Sequence, residues 1–198
     1  LYGKIRSNRE SALLYMIKRI KSSELNSAEL EQELKEIILE RESIQQDRFD
    51  LIIEKCPIID ISEKENKEEF FARAAGVLDA SFICGEREIY SKLLSREAES
   101  STVLTPHLAI PHIILKGDKK FEILLARSQK GVYFSEKAPE VKIIFVIAGS
   151  LDERQFHLKS LAAIAQIVQQ PDFQEKWLNA QNIESLRDVI LLADRYRN

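Results

Sequence analysis

The histidine that follows proline at position 112 is the side chain in this sequence best placed to do chemistry. The stretch Thr102 to Ile114, Thr-Val-Leu-Thr-Pro-His-Leu-Ala-Ile-Pro-His-Ile-Ile, holds two of the three histidines and two of the five prolines of the chain within a β-like apolar run. Pro111 locks its own φ and biases Ile110 towards an extended conformation, so the direction from which the chain enters His112 is fixed. Such an imidazole can serve as a nucleophile, or it can be a solvent-facing histidine at a strand end, and spacing alone leaves both readings open. The third histidine, His157, lies one turn into an apolar helical run between Phe156 and Leu158. A buried imidazole needs a partner, because an unpaired polar ring in the interior costs free energy.

If the strand bearing His112 packs on the helix bearing His157, the two rings face a common site. Neither has a cysteine or carboxylate at metal-ligand spacing, so no metal and no cofactor are expected. The pair suits phosphoryl handling: a neutral imidazole attacks phosphorus and a second one hydrogen-bonds the equatorial oxygens of the group in transit. Arg96, just ahead of the histidine strand, is the expected guanidinium fork for those oxygens. His107 reads as a loop histidine.

Other chemistries find little support. The 198 residues suffice for one good-sized core with a helical extension. Hydrophobic residues at 44% and charged ones at 31% describe a soluble globular chain, and a net charge of -3 gives no overall pull towards nucleic acid. No phosphate-cradling glycine loop is present among the six glycines. Cys56 and Cys84 lack CxxC spacing and are expected as buried, reduced thiols. Neither a signal peptide nor an apolar run long enough to span a bilayer is read from the sequence.

The elements that must position the histidines follow from periodicity. Phe70, Phe71, Ala74, Ala75 and Leu78 form one helical stripe, and Ile89, Tyr90, Leu93 and Leu94 another that ends near Arg96. Strands are expected at Val103–Leu115, Phe121–Ser128 and Val141–Ala148, the first two joined as a hairpin through Lys116-Gly117-Asp118. From Asp152 a helix dense in apolar residues is expected to be buried on most sides. Pro171 stops it and opens a short helix with Phe173, Trp177 and Leu178 pointing inward, and Asn182 caps the last one. With a short strand at Ile58 to Ile61, this order predicts an α/β fold, a three-layer-like sandwich of a mixed sheet flanked by helices, preceded by a helical N-terminal connector. The division falls at Pro57, giving a connector over 1–57 and an α/β domain over 58–198.

From about Glu68 onward the sequence resembles the enzyme IIA domain of the mannitol/fructose class of the bacterial phosphotransferase system, which includes the nitrogen-regulatory IIA proteins. The resemblance rests on Arg96-Glu97, Ser101-Thr102, Leu108-Ala109-Ile110-Pro111-His112, Gly131-Val132-Tyr133-Phe134, the apolar strand Val141–Ala148, Phe156-His157-Leu158 and Leu161. It implies the same sandwich fold, with His112 accepting phosphate from an HPr-like phosphocarrier, His157 as the second active-site histidine, and Arg96 and Thr102 binding the phosphate or ligand. Two departures stand out. Thr105-Pro106-His107 replaces a glycine-containing turn, and Ile113 replaces a small residue. Less backbone freedom and a crowded neighbour are expected to favour a sensing site over a transferring one.

Residues 1–22 carry six basic side chains, Lys4, Arg6, Arg9, Lys18, Arg19 and Lys21, against the single acid Glu10, and their apolar residues recur at helical spacing. A serine-capped helical arm from Ser27 follows, ending at Cys56-Pro57. This segment is similar to the cytoplasmic connector after the last membrane span of amino-acid permease-like transporters that carry a C-terminal IIA-like domain, where basic flanks are enriched. The resemblance implies a regulatory domain on the cytoplasmic face of the membrane, with the transporter's membrane domain as partner and a homodimer through the N-terminal helices.

Overall fold

The computed structural model describes residues 46–197, which belong to one compact unit that begins at Gln46. The expected basic helix over 1–22 and most of the arm from Ser27 lie outside the described residues. In chain order the unit runs α1 (Arg48–Lys55), β1 (Ile58–Ile61), β2 (Glu65–Asn66), α2 (Lys67–Leu78), α3 (Glu86–Glu99), β3 (Val103–Thr105), β4 (Leu108–Ala109), β5 (His112–Leu115), β6 (Phe121–Tyr133), β7 (Val141–Ser150), α4 (Arg154–Val168), α5 (Phe173–Asn179) and α6 (Ile183–Leu191). Among these no helix is long and apolar enough to cross a membrane.

The division at Pro57 cuts through this unit. Helix α1 starts on a capping box, with Asp47 accepting from the Asp50 amide and Asp50 accepting in return from the Asp47 amide. It buries Phe49 and Ile53, with Cys56 just beyond it, in the same core as Phe145, Trp177 and Ile190. Arg195, close to the end of the chain, clasps both Asp47 and Asp50 at 2.7 Å, and Arg197 reaches Asp50 at 2.9 Å. The α/β unit therefore begins ahead of α1, because an amphipathic helix of this size is stabilised by the face it buries.

Two long strands, β6 and β7, run antiparallel at the centre of a seven-stranded mixed sheet. Strand β7 is apolar almost throughout, and β6 over Phe121–Ala126 apart from Glu122, as central strands covered on two faces must be. Leu124, Ala126, Val132, Ile144, Val146 and Ala148 point to one core, shared with Phe70, Phe71, Ile89 and Leu93 of α2 and α3. Ile123, Leu125, Ile143, Phe145 and Ile147 point to the other, under α1, α4, α5 and α6. Strands β1 and β2 pair parallel along the outer side of β6, and β4 and β5 pair parallel along the outer side of β7. The mixed α/β sandwich expected from the sequence is the observed fold.

Three local expectations are corrected. The run Val103–Leu115 is three short strands: β3 folds back antiparallel on β4, and the chain is broken again before Pro111. The hairpin through Lys116-Gly117-Asp118 is absent, because β5 and β6 each pair with β7 on opposite sides and the turn only steps across the end of that strand. Helix α4 is one-sided rather than buried on most sides: His157, Ser160, Ala163, Ile164 and Ile167 form the inner stripe, while Leu158 is 59% exposed.

Candidate active site

Helix α3 delivers Arg96 in its last turn, where the partial negative charge of the helix end suits a cation. Its Nη1 donates to the Ser100 carbonyl at 2.9 Å, which holds the guanidinium at the helix terminus. The adjoining Glu97 ties the helix to the next strand: one carboxylate oxygen accepts from the Ser101 hydroxyl and the other from both the amide and the hydroxyl of Thr102. The Thr102 carbonyl then accepts the Ile110 amide at 2.9 Å. Ile110 is thereby fixed, and its carbonyl accepts from the Nδ1 of His112 at 2.8 Å.

The other ring nitrogen of His112, Nε2, lies 3.0 Å from Arg96 Nη2. Arginine has no acceptor, so this contact requires a lone pair on Nε2. The proton therefore resides on Nδ1, donated to Ile110, and the nucleophilic nitrogen Nε2 presents its lone pair beside a guanidinium. Sequence periodicity explains the ring's direction. In β5, Ile113 and Leu115 turn into the core under α2 and α3, so His112 and Ile114 face the side on which α4 lies.

His157 projects from the first turns of α4 to within 5.7 Å of the His112 ring, centroid to centroid and edge-on. It is 5% exposed, and its Nδ1 finds no partner among the described residues. Burial, and then the electrostatic influence of the neighbouring His112, push its pKa down to about 4. His157 is thus neutral at neutral pH, able to donate one N–H without competing as a cation.

Arg96, His112 and His157 line one cleft of about 700 Å³ between α3 and α4. Thr102 does not line it: the residue is buried, and its hydroxyl is spent on Glu97, so it acts by holding the loop that aims His112. His107 lies outside the cleft too, with its Nδ1 donating to the Glu140 carbonyl at 3.0 Å and its own carbonyl accepting from Lys142 and Ile143. Sequence reasoning missed Lys92 and Arg154, which bring further positive charge to the lining. Glu88, Ser91, Lys92, Ser95, Arg96 and Glu99 all line the cleft, and their spacing is that of a single helix face. That polar stripe was the available signal.

The two departures from the family pattern are absorbed by the geometry. Among the described residues Lys119 is the only non-glycine with positive φ, so the turn Thr105-Pro106-His107 needs no glycine. Ile113 sits 4% exposed in the core under α3. Gly131, by contrast, has φ of 85°, and a Cβ there would fall 2.6 Å from Glu140 Cα, so the Gly-Val-Tyr-Phe element requires its glycine.

The chain is 27% identical over 135 residues to the fructose-specific EIIABC component of the phosphotransferase system of Bacillus subtilis, a match covering 67% of this chain and 21% of that protein. It is 28% identical over 128 residues to the fructose-specific EIIA component of Haloferax volcanii, covering 64% of this chain and 82% of that one. The crystal structure of the nitrogen regulatory protein IIA-Ntr from Neisseria meningitidis superposes with a TM-score of 0.64 at 24% identity, covering 71% of this chain and 99% of that one, which shows the shared fold. Residues 52–192 match the family described as phosphoenolpyruvate-dependent sugar phosphotransferase system, EIIA 2, and the chain belongs to that family.

Proposed function

We propose that this domain accepts a phosphoryl group on Nε2 of His112 from an HPr-like phosphohistidine carrier and passes it to a further acceptor. The observation that carries the proposal is the pair of hydrogen bonds on the ring, Nδ1–H to the Ile110 carbonyl and Nε2 accepting from Arg96. The lone pair of Nε2 attacks phosphorus in line with the carrier's P–N bond. That bond breaks as the new P–Nε2 bond forms, and its electron pair returns to the carrier's imidazole. Positive charge that develops on the His112 ring is stabilised through Nδ1–H by the Ile110 carbonyl, which also keeps the ring a good leaving group for the onward step. Arg96 slides from the nitrogen to the incoming phosphoryl oxygens, and the neutral His157 donates to another.

The cleft rim suits a protein partner, since Leu151 and Leu158 stand 69% and 59% exposed beside Arg154. Incubation with a phosphorylated carrier tests the proposal. Acid-labile phosphate that is lost in His112→Ala and retained in His107→Ala supports it, and the absence of transfer sinks it.

A second reading makes phosphorylation regulatory: the domain biases an amino-acid transporter at the cytoplasmic face of the membrane and pairs with a second copy through its N-terminal residues. The family match begins at residue 52, and the basic, amphipathic sequence over 1–22 lies ahead of it. Co-purification of the full-length protein with a membrane fraction, reversed by charge-neutralising changes at Lys18, Arg19 and Lys21, supports that reading. A protein that stays wholly in the soluble fraction argues against it.

A further inference from the structure

Helix α1 lies at the entry to the compact unit, and Arg48 stands four residues ahead of the family match. Its side chain leaves its own helix and grips the start of α4. Nη1 donates to Glu153 at 2.8 Å, and the guanidinium carbon stands 4.1 Å above the centre of the Phe156 ring. Glu153 is the residue before α4 and makes no side-chain cap to the helix, so its carboxylate is free to take the arginine. Phe156 packs edge-on against Phe121 at 4.7 Å between centroids. Phe121 in turn meets the His157 ring at 6.0 Å, and His157 meets His112 at 5.7 Å. The residues held by Arg48 thus flank Arg154, which lines the cleft, and directly precede His157.

We infer that Arg48 is a positioning residue of the phosphoryl site: by bridging Glu153 and stacking on Phe156 it fixes the first turn of α4, and so couples helix α1 to the placement of His157 and Arg154. A turn that lacks a side-chain cap and begins on a three-residue 3₁₀ segment has few constraints of its own. Phe156 offers the arginine an aromatic face, and Glu153 offers it a mostly buried carboxylate, a pairing that suits a planar guanidinium better than an ammonium. Since the first 45 residues lead directly into α1, a rearrangement that shifts α1 reaches the site along this route. The inference rests on the phosphoryl-transfer reading for its kinetic consequence, whereas its structural consequence stands apart from that reading.

The test uses the full chain with 15N-labelled histidine, in the wild type, Arg48→Ala, Arg48→Lys and Glu153→Gln forms. Arg48→Ala is expected to move the ring resonances of His157 while leaving those of His107 in place, and to slow transfer from a phosphorylated carrier several-fold in kcat with KM unchanged. Glu153→Gln should give a smaller change of the same kind, and Arg48→Lys an intermediate one, since lysine restores the ion pair but not the planar stack. If transfer is absent in the wild type, the phosphoryl reading fails, and the resonances still decide the positioning role. Unchanged His157 resonances in Arg48→Ala overturn the inference, and so does a resonance shift spread equally over all three histidines.

Discussion

Replacing His157 by phenylalanine should change how stability responds to acid more than it changes stability at neutral pH. The wild-type ring has a pKa of about 4 in the folded protein, because burial and the neighbouring His112 oppose its protonation, against 6.5 for an ordinary histidine. The unfolded chain therefore binds more protons than the folded one between these two values, and stability falls as pH falls through that window. The contribution of neutral His157 is fully present above pH 6.5 and is lost progressively down to about pH 4. At about 1.36 kcal/mol per pH unit the difference comes to about 3 kcal/mol, most of it gone by pH 4.5. Phenylalanine has no proton to bind, fills a similar shape, and leaves no orphaned ring nitrogen beside Phe121. Urea unfolding of both proteins at intervals from pH 7.5 to pH 4.5 isolates the effect, because the carboxylates common to both cancel in the difference. The wild type should lose about 2 to 3 kcal/mol relative to His157→Phe across the range. Parallel stability profiles would refute the claim that His157 is buried in its neutral form.

Three further outcomes follow from particular contacts. Arg96→Ala removes the guanidinium 3.0 Å from Nε2 and should slow phosphoryl transfer about 100-fold in stopped-flow assays, with the fold unchanged by circular dichroism. Thr102→Val deletes the hydroxyl that donates to Glu97, and urea unfolding should show a loss of about 1 to 2 kcal/mol. Asp50→Ala leaves Arg195 buried with half of its counter-charge, and thermal unfolding should report a loss of about 3 kcal/mol or more.

The parts of this structure that could be read in advance are those governed by local chemistry. Asn182 caps α6 by accepting from the Ser185 amide, as its position before an amphipathic run predicts. The apolar stripe from Phe70 to Leu78 lies in α2, and Phe173 and Trp177 are buried as expected. The pairing of His112 with His157 and Arg96 was also legible, through the proline that fixes one ring and the helical burial of the other. What escaped depends on partners distant in the chain. Nothing local distinguishes β5 paired to β6 from β5 paired to β7, since the choice is made by the more apolar strand that inserts between them. The start of the domain was misplaced because the clasp that secures α1 comes from Arg195 and Arg197, well over a hundred residues away. Thr102 is assigned to the phosphate or ligand site by the family resemblance, whereas the structure aims its hydroxyl at Glu97.

The central claim concerns one atom, Nε2 of His112. Reaction of the full chain, labelled with 15N in its histidines, with a phosphorylated HPr-type carrier, followed by 31P and 15N NMR, reads directly which nitrogen takes the phosphoryl group. The geometry predicts a single phosphohistidine at residue 112, substituted at Nε2, with Nδ1 still protonated and bonded to Ile110. Phosphate on Nδ1, on His107 or His157, or on no histidine at all would contradict it.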